Sequence, residues 1–298
     1  PSSRPPAIVA VNTGTPTGWP RRASRTPATG PTNTVPRTTT FSHGVSVTGT
    51  CACTRIRVPD PNRAFAEAAQ WLERRMEAVA GFAQEQGAAV QAWAAFGMDA
   101  VVWLCGTEGA IMLAMDHPQS FTELMEIVTE TDLARVEMAA RQPEIDLIVE
   151  RGWYSSTDFW SPSLFDRYLV DHVRRLADLR HRHGKLFCYT VTTGVEILGP
   201  RLADAGVDVL YFVDPLLDGI SMEKARDLLG SRICLVGGTN AITLATRDRG
   251  MIEAEVNRAV STLGPSGRFI LHPIDALFPD TPWEGVEMLI QGWEKVRG

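Results

Sequence analysis

The chain has 298 residues, 44% of them apolar, and its 29 basic and 35 acidic side chains leave a net charge of −6. That is enough chain for one large α/β domain, and the acidic balance weighs against nucleic acid as the main partner. It contains neither a run of about 18 apolar residues nor a signal-like apolar stretch near the start, which predicts a soluble, cytoplasmic protein with no membrane partner.

Residues 1–60 stand apart from the rest. They hold seven arginines and a single acid, Asp60, and residues 1–59 lack Leu, Lys, Glu, Gln, Met and Tyr altogether. Such a segment cannot bury enough apolar surface to offset its ordering entropy, so it is expected to be disordered or non-native. A transit peptide, a natural tail and a coding region read in the wrong frame all produce this composition. The abrupt change at Pro59-Asp60-Pro61 fits the last best. Residues 61–298 form the expected folded domain, with 22 basic and 34 acidic residues.

Within that domain, Phe65, Ala68, Ala69, Leu72, Met76 and Val79 recur at helical spacing, predicting an amphipathic helix that stops at Gly87. A short strand follows at Val90–Ala94, then helices over Asp99–Met115 and Ser120–Arg141, with Ser120 and Glu123 as a capping box. Strands are predicted at Ile145–Val149, Lys185–Val191, Val207–Val213, Ile233–Val236 and Arg268–His272. Helices alternate with them near Pro162–Arg182, Val195–Ala205, Ser221–Leu229, Asp248–Leu263 and Pro282–Val296, the last entered through Asp280-Thr281-Pro282 as its cap.

The strands are continuous apolar runs, the pattern of strands buried on both faces, and their alternation with helices implies parallel βαβ units. No phosphate-cradling glycine motif is present, which leaves an α/β (β/α)8 TIM-barrel type. Six strands are found where eight are needed, so the first two βα units are expected to be missing and the open edge to invite self-association. The five cysteines (Cys51, Cys53, Cys105, Cys188 and Cys234) form no disulfide framework or metal knuckle. The last three are expected to be buried, inert thiols.

In a parallel barrel the reactive groups gather at the C-terminal strand ends. The polar residues there are Tyr154, Ser155, Ser156, Asp158, Tyr189, Thr190, Thr192, Thr193, Asp214, Asn240, His272 and Asp275. Asp214 follows an apolar strand directly and is the leading candidate acid. His272 with Asp275 would make an oriented base, unless His272 is a buried histidine bonded to a backbone carbonyl. Gly237-Gly238 either lets backbone approach a ligand or simply turns the chain. Trp93, Trp103, Trp153 and Trp160 would add aromatic surface near the mouth, or pack in the core.

Three stretches carry a family resemblance: Trp153-Tyr154-Ser155-Ser156 through Ser161-Pro162-Ser163-Leu164-Phe165, Val236-Gly237-Gly238-Thr239-Asn240-Ala241, and Phe269 through Asp280-Thr281-Pro282. With the strand–helix rhythm of Leu202–Leu210, they make residues 62–298 similar to the uroporphyrinogen decarboxylase superfamily. The resemblance implies loss of carboxylate from tetrapyrrole acetate arms without a cofactor, usually in a homodimer. Its alternative is corrinoid-linked methyl transfer, and a third reading is a barrel that binds without catalysis. The missing first strands weigh against catalysis by the chain as it stands. The family's substrate-contacting serine falls at Ser155, a tyrosine at Trp103 and a C-terminal histidine at Asp275. The substrate-binding set expected is Trp103, Tyr154, Ser155, Tyr189, Gly237, Gly238 and Asn240, around the catalytic candidates Asp214, His272 and Asp275. The zinc ligands of the methyltransferases fall at Tyr189, Val191 and Asp275, so no metal is expected.

Overall fold

The computed structural model describes residues 8–12, 61–214, 216, 219–274 and 277–297. The chain divides into two units, one of Pro1–Gly14 with Leu72–Gly298 and one of Thr15–Trp71. The first unit carries the sheet; the second is described only from Pro61 onward.

Seven strands form one parallel sheet in simple sequence order: β1 (Ile8–Asn12), β2 (Ala89–Ala95), β3 (Leu147–Glu150), β4 (Leu186–Thr190), β5 (Val209–Val213), β6 (Cys234–Asn240) and β7 (Phe269–Ile274). Six of them are the strands expected after residue 60. The seventh, β1, lies in the segment whose composition gave no hint of a strand, and pairs in parallel with β2 from Ile8↔Ala89 to Asn12↔Trp93. The rest of residues 1–60 lies outside the described residues, and with it the reading of that segment as disordered. Ordered parallel strands joined by helical crossovers make this the arc of a (β/α) barrel.

The helices are α1 (Pro61–Gln86), α2 (Gly97–Cys105), α3 (Thr107–Asp116), α4 (Pro118–Ala140), α5 (Pro162–Tyr168), α6 (Val170–Arg182), α7 (Val195–Asp204), α8 (Met222–Leu229), α9 (Ala241–Ala245), α10 (Arg249–Leu263) and α11 (Trp283–Val296). Two predicted helices are each broken in two. The first bends by 100° between α2 and α3, where Gly106 takes φ +72, a left-handed value that costs glycine little. The second breaks at Leu169. The expected Ser120–Glu123 capping box is not formed, because α4 starts earlier with Pro118 at its first position. Nor does Asp280 or Thr281 cap α11; the Thr281 hydroxyl accepts from the Phe278 amide instead. Cys105 is exposed rather than buried, while Cys188 is buried and Cys234 partly so. No single helix among the described residues is long and apolar enough to cross a membrane.

The alternation along each strand sorts the side chains onto two faces. One face carries the barrel core of Leu147, Val149, Cys188, Val209, Tyr211, Val236 and Ile274, with Trp93 and Trp153 packed on it. The other turns toward the helices: Phe187 lies under the Arg180 guanidinium of α6, 3.7 Å from its ring centroid. Gly237 and Gly238 lie inside β6, not after it. A Cβ on Gly237 would meet the Val213 carbonyl at 2.5 Å, and one on Gly238 the Ala259 Cβ at 2.7 Å, so both serve close strand and helix packing.

Candidate functional site at the barrel mouth

The turn out of β2 is fixed from behind. Asp132 on α4 accepts hydrogen bonds from the Phe96 and Gly97 amides through one oxygen, at 2.9 and 2.8 Å. That turn delivers Asp99 into the rim, where it is fully buried. One Asp99 oxygen accepts from the Tyr154 amide at 2.9 Å and the other from Arg151 Nε at 3.3 Å. Burial pushes the Asp99 carboxyl up to about 6, and the Tyr154 amide and the Arg151 charge restrain the rise.

Arg151 follows the last residue of β3, and its side chain is one-third exposed. Its guanidinium carbon sits 4.3 Å from the Trp153 ring centroid and 5.0 Å from that of Trp103. Trp153 in turn stacks on Trp93, with centroids 5.5 Å apart and an interplanar angle of 18°. Tyr211 continues the wall beside Trp93 and meets His272 edge-on at 5.2 Å. The result is an aromatic surface with one planar cation held against it by two indoles. Burial lowers the His272 pKa, favouring the neutral imidazole, and its Nδ1 is buried with no hydrogen-bond partner among the described residues.

The expected site residues separate into three places. Trp103 and the Tyr154 backbone belong to the Arg151–Asp99 rim, with the Tyr154 ring packed edge-on against Phe159. Asp214 and Asn240 meet at the ends of β5 and β6: Asn240 Nδ2 donates to both Asp214 oxygens at 3.1 Å, and the Leu216 amide donates to Asp214 as well. The Asn240 side-chain oxygen caps α9, a helix that the sequence pattern does not announce. Ser155 and Tyr189 are joined but fully buried; the Tyr189 hydroxyl donates to Ser155 Oγ at 2.8 Å, and Ser155 donates to the Gly152 carbonyl. Asp275 lies outside the described residues.

Of the four tryptophans, Trp160 takes the core place, packed on Phe121 with its N–H donated to the Tyr154 carbonyl. Sequence reasoning missed Asp99, Arg151 and Tyr211. Arg151 had a signal, since it is the first residue beyond an apolar strand; Asp99 is hidden inside an apolar helix. Among the described residues no three His, Cys, Asp or Glu side chains gather to hold a metal ion. Tyr189 and Val191, at the positions matched to zinc ligands, are both fully buried.

A family model described as uroporphyrinogen decarboxylase (URO-D) matches residues 55–296. Among curated proteins none matches. A solved methyltransferase from Methanosarcina mazei is similar at 18% identity and a TM-score of 0.64, over 79% of this chain. This chain spans 65% of that protein's length. A 3-keto-D-glucoside 4-epimerase from E. coli is more distant, at 12% identity and TM-score 0.47 over 75% of this chain and 87% of its own. The match of the family model over most of the sequence, on a parallel (β/α) sheet with its polar groups at the strand ends, establishes that the chain belongs to the uroporphyrinogen decarboxylase family.

Proposed function

We propose that the mouth binds a flat tetrapyrrole bearing carboxylate arms, and that the reaction it serves is the family's removal of carboxylate from acetate side chains. The observation that carries this reading is Arg151, a partly exposed guanidinium lying over Trp153 and Trp103. A planar cation in that position pairs with a carboxylate while the adjoining Trp93–Trp153 stack offers an apolar face to the macrocycle. Each arm would lose carbon dioxide and leave a methyl group that takes up one proton. Asp214, oriented by Asn240, and His272 with Asp275 are the groups proposed to handle that proton. Tyr154 and Trp103 would shape the rim, and Ser155, Tyr189, Gly237 and Gly238 would support it from behind.

Corrinoid-linked methyl transfer is the second reading, supported by the fold shared with the methanosarcinal methyltransferase. It is the weaker one, because valine cannot ligate zinc and Val191 stands where a ligand would be needed.

The test is binding of uroporphyrin I followed by quenching of tryptophan fluorescence, with anaerobic conversion of the porphyrinogen measured in parallel by counting carboxylates on the product. The wild-type chain is expected to bind, and Arg151→Met to weaken binding about tenfold or more, the scale of one charge-assisted bond. Binding without any loss of carboxylate would make the chain a ligand-binding barrel. No binding at all would remove the tetrapyrrole reading.

A further inference from the structure

A second cluster of charged side chains lies behind the mouth, between the sheet and the helices. Glu150 on β3, Asp132 on α4, and His172 and Arg180 on α6 are all at least 97% buried. His172 Nε2 lies 2.9 Å from Glu150 Oε1, and its Nδ1 lies 2.8 Å from the Thr129 hydroxyl. That hydroxyl donates its single proton to the Met125 carbonyl at 2.7 Å, so it faces His172 with a lone pair. A carboxylate oxygen also only accepts. That arrangement is met by a ring with hydrogen on both nitrogens, the cationic form.

The charge balance agrees. Glu150 and Asp132 are two buried acids; Arg180 is a buried base, Arg135 reaches Asp132 at 3.5 Å, and His172 is the base in direct contact with Glu150, whose buried carboxylate is costly without a cation against it. Burial alone would push the His172 pKa down. The nearby Glu150 and Asp132 carboxylates outweigh burial and the opposing Arg180 charge, and the net direction is up. The other charged groups around the ring are Glu126 on α4, which feels the His172 charge, and Arg135 on α4, paired with Asp132 at 3.5 Å; the uncharged Gly97 turn also packs on it, where a Cβ would meet His172 Nε2 at 3.1 Å.

Both acids lead to the mouth. Glu150 is the last residue of β3, and the next residue, Arg151, projects to the opposite face among the indoles. Asp132 holds the amides of the turn that carries Asp99. Asp99 and Arg151 then join at the rim. We propose that His172, held as an imidazolium between Glu150 and Thr129 and within the field of Asp132, is a positioning residue that fixes the end of β3 and the turn into α2, and so sets the Asp99–Arg151 pair for its ligand. This deepens the ligand-binding reading and rests on it for the binding measurement alone.

The test uses the full chain with 15N-labelled histidines, the His172 signals being identified by their loss in His172→Gln. Two protonated ring nitrogens are expected at pH 7.5. In Glu150→Gln, which keeps the shape and removes the charge, His172 is expected to lose one proton by pH 7. Protection of the Phe96 and Gly97 amides against hydrogen exchange should then fall about tenfold above that pH and match wild type at pH 5.5. Thr129→Val, which removes the Nδ1 acceptor and leaves Glu150 in place, should move both readouts in the same direction if Glu150→Gln does not fold. Binding of uroporphyrin I should weaken in these variants at pH 8 and not at pH 5.5.

A wild-type His172 with one ring proton at pH 7 would overturn the proposal, and so would unchanged Phe96 and Gly97 protection across the titration of either variant. A wild-type chain with the imidazolium and the pH-dependent amides but no porphyrin uptake would sink the ligand reading and leave the positioning role standing.

Discussion

Asp99 shows how a single buried side chain can give the mouth a pH dependence. Its carboxyl is raised from 3.8 to about 6, chiefly by burial. Between those values the folded chain holds a proton that the unfolded chain has released, so stability falls as pH rises through that window. Two pH units correspond to about 3 kcal/mol, present below pH 4 and lost above pH 6. Asp99→Asn should remove this slope while keeping the Tyr154 amide bonded, which urea midpoints taken at pH 4.5 and 7 would reveal. A slope unchanged in Asp99→Asn would place its origin in another group raised in the fold, Asp132, Glu255 or His172. The His172 contribution falls later, as pH rises above its ordinary value and through the raised one. His172 is therefore separable by window from the raised carboxyls.

Two glycines at the ends of α2 separate backbone strain from packing. Gly106 has φ +72 and open space where a Cβ would go; Gly97 has φ +43, with Glu150 Oε1 only 2.6 Å from that position. Gly106→Ala should cost about 1–3 kcal/mol, the strain of a glycine-only backbone region (φ 72, ψ 161) with no packing cost added. Gly97→Ala should cost about 3 kcal/mol or more, because it must also push apart the Glu150–His172 pair. Thermal midpoints of the two variants check the order; equal losses would mean that the buried pair yields freely.

The same helices mark where the sequence was legible. The six strands from β2 to β7 announce themselves as apolar runs bounded by polar loops, and most helices were placed within a few residues. The breaks at Gly106 and Leu169 were not legible, since apolar residues continue on both sides of each and Leu169 carries no breaker at all. Strand-end polar residues such as Asp214 and Asn240 were visible from their position after an apolar run. The Thr129–His172 and Glu150–His172 contacts join residues 43 and 22 apart, and only the packing of α6 against α4 and β3 brings them together.

At the scale of the whole sheet, β1 decides what becomes of β2. A closed barrel leaves no strand edge, and a parallel strand with one unpaired side exposes its amides and carbonyls. Residues 8–12 cover that side of β2 along residues 89–93, up to Trp93, which carries the stack beneath Arg151. Parallel pairing over five residues, at about 1 kcal/mol net per bond, is worth about 2–4 kcal/mol. Deleting residues 1–14 should lower the unfolding midpoint accordingly and leave the edge of β2 open to a second copy, so that the midpoint rises with protein concentration. The parent chain, with that edge covered, should show less concentration dependence. Sedimentation at several concentrations, run beside the melts, tells the outcomes apart. A deletion variant that melts like the parent and stays the same size would mean that β2 does not depend on this pairing, and that the Trp93 stack is held from the β3 side alone.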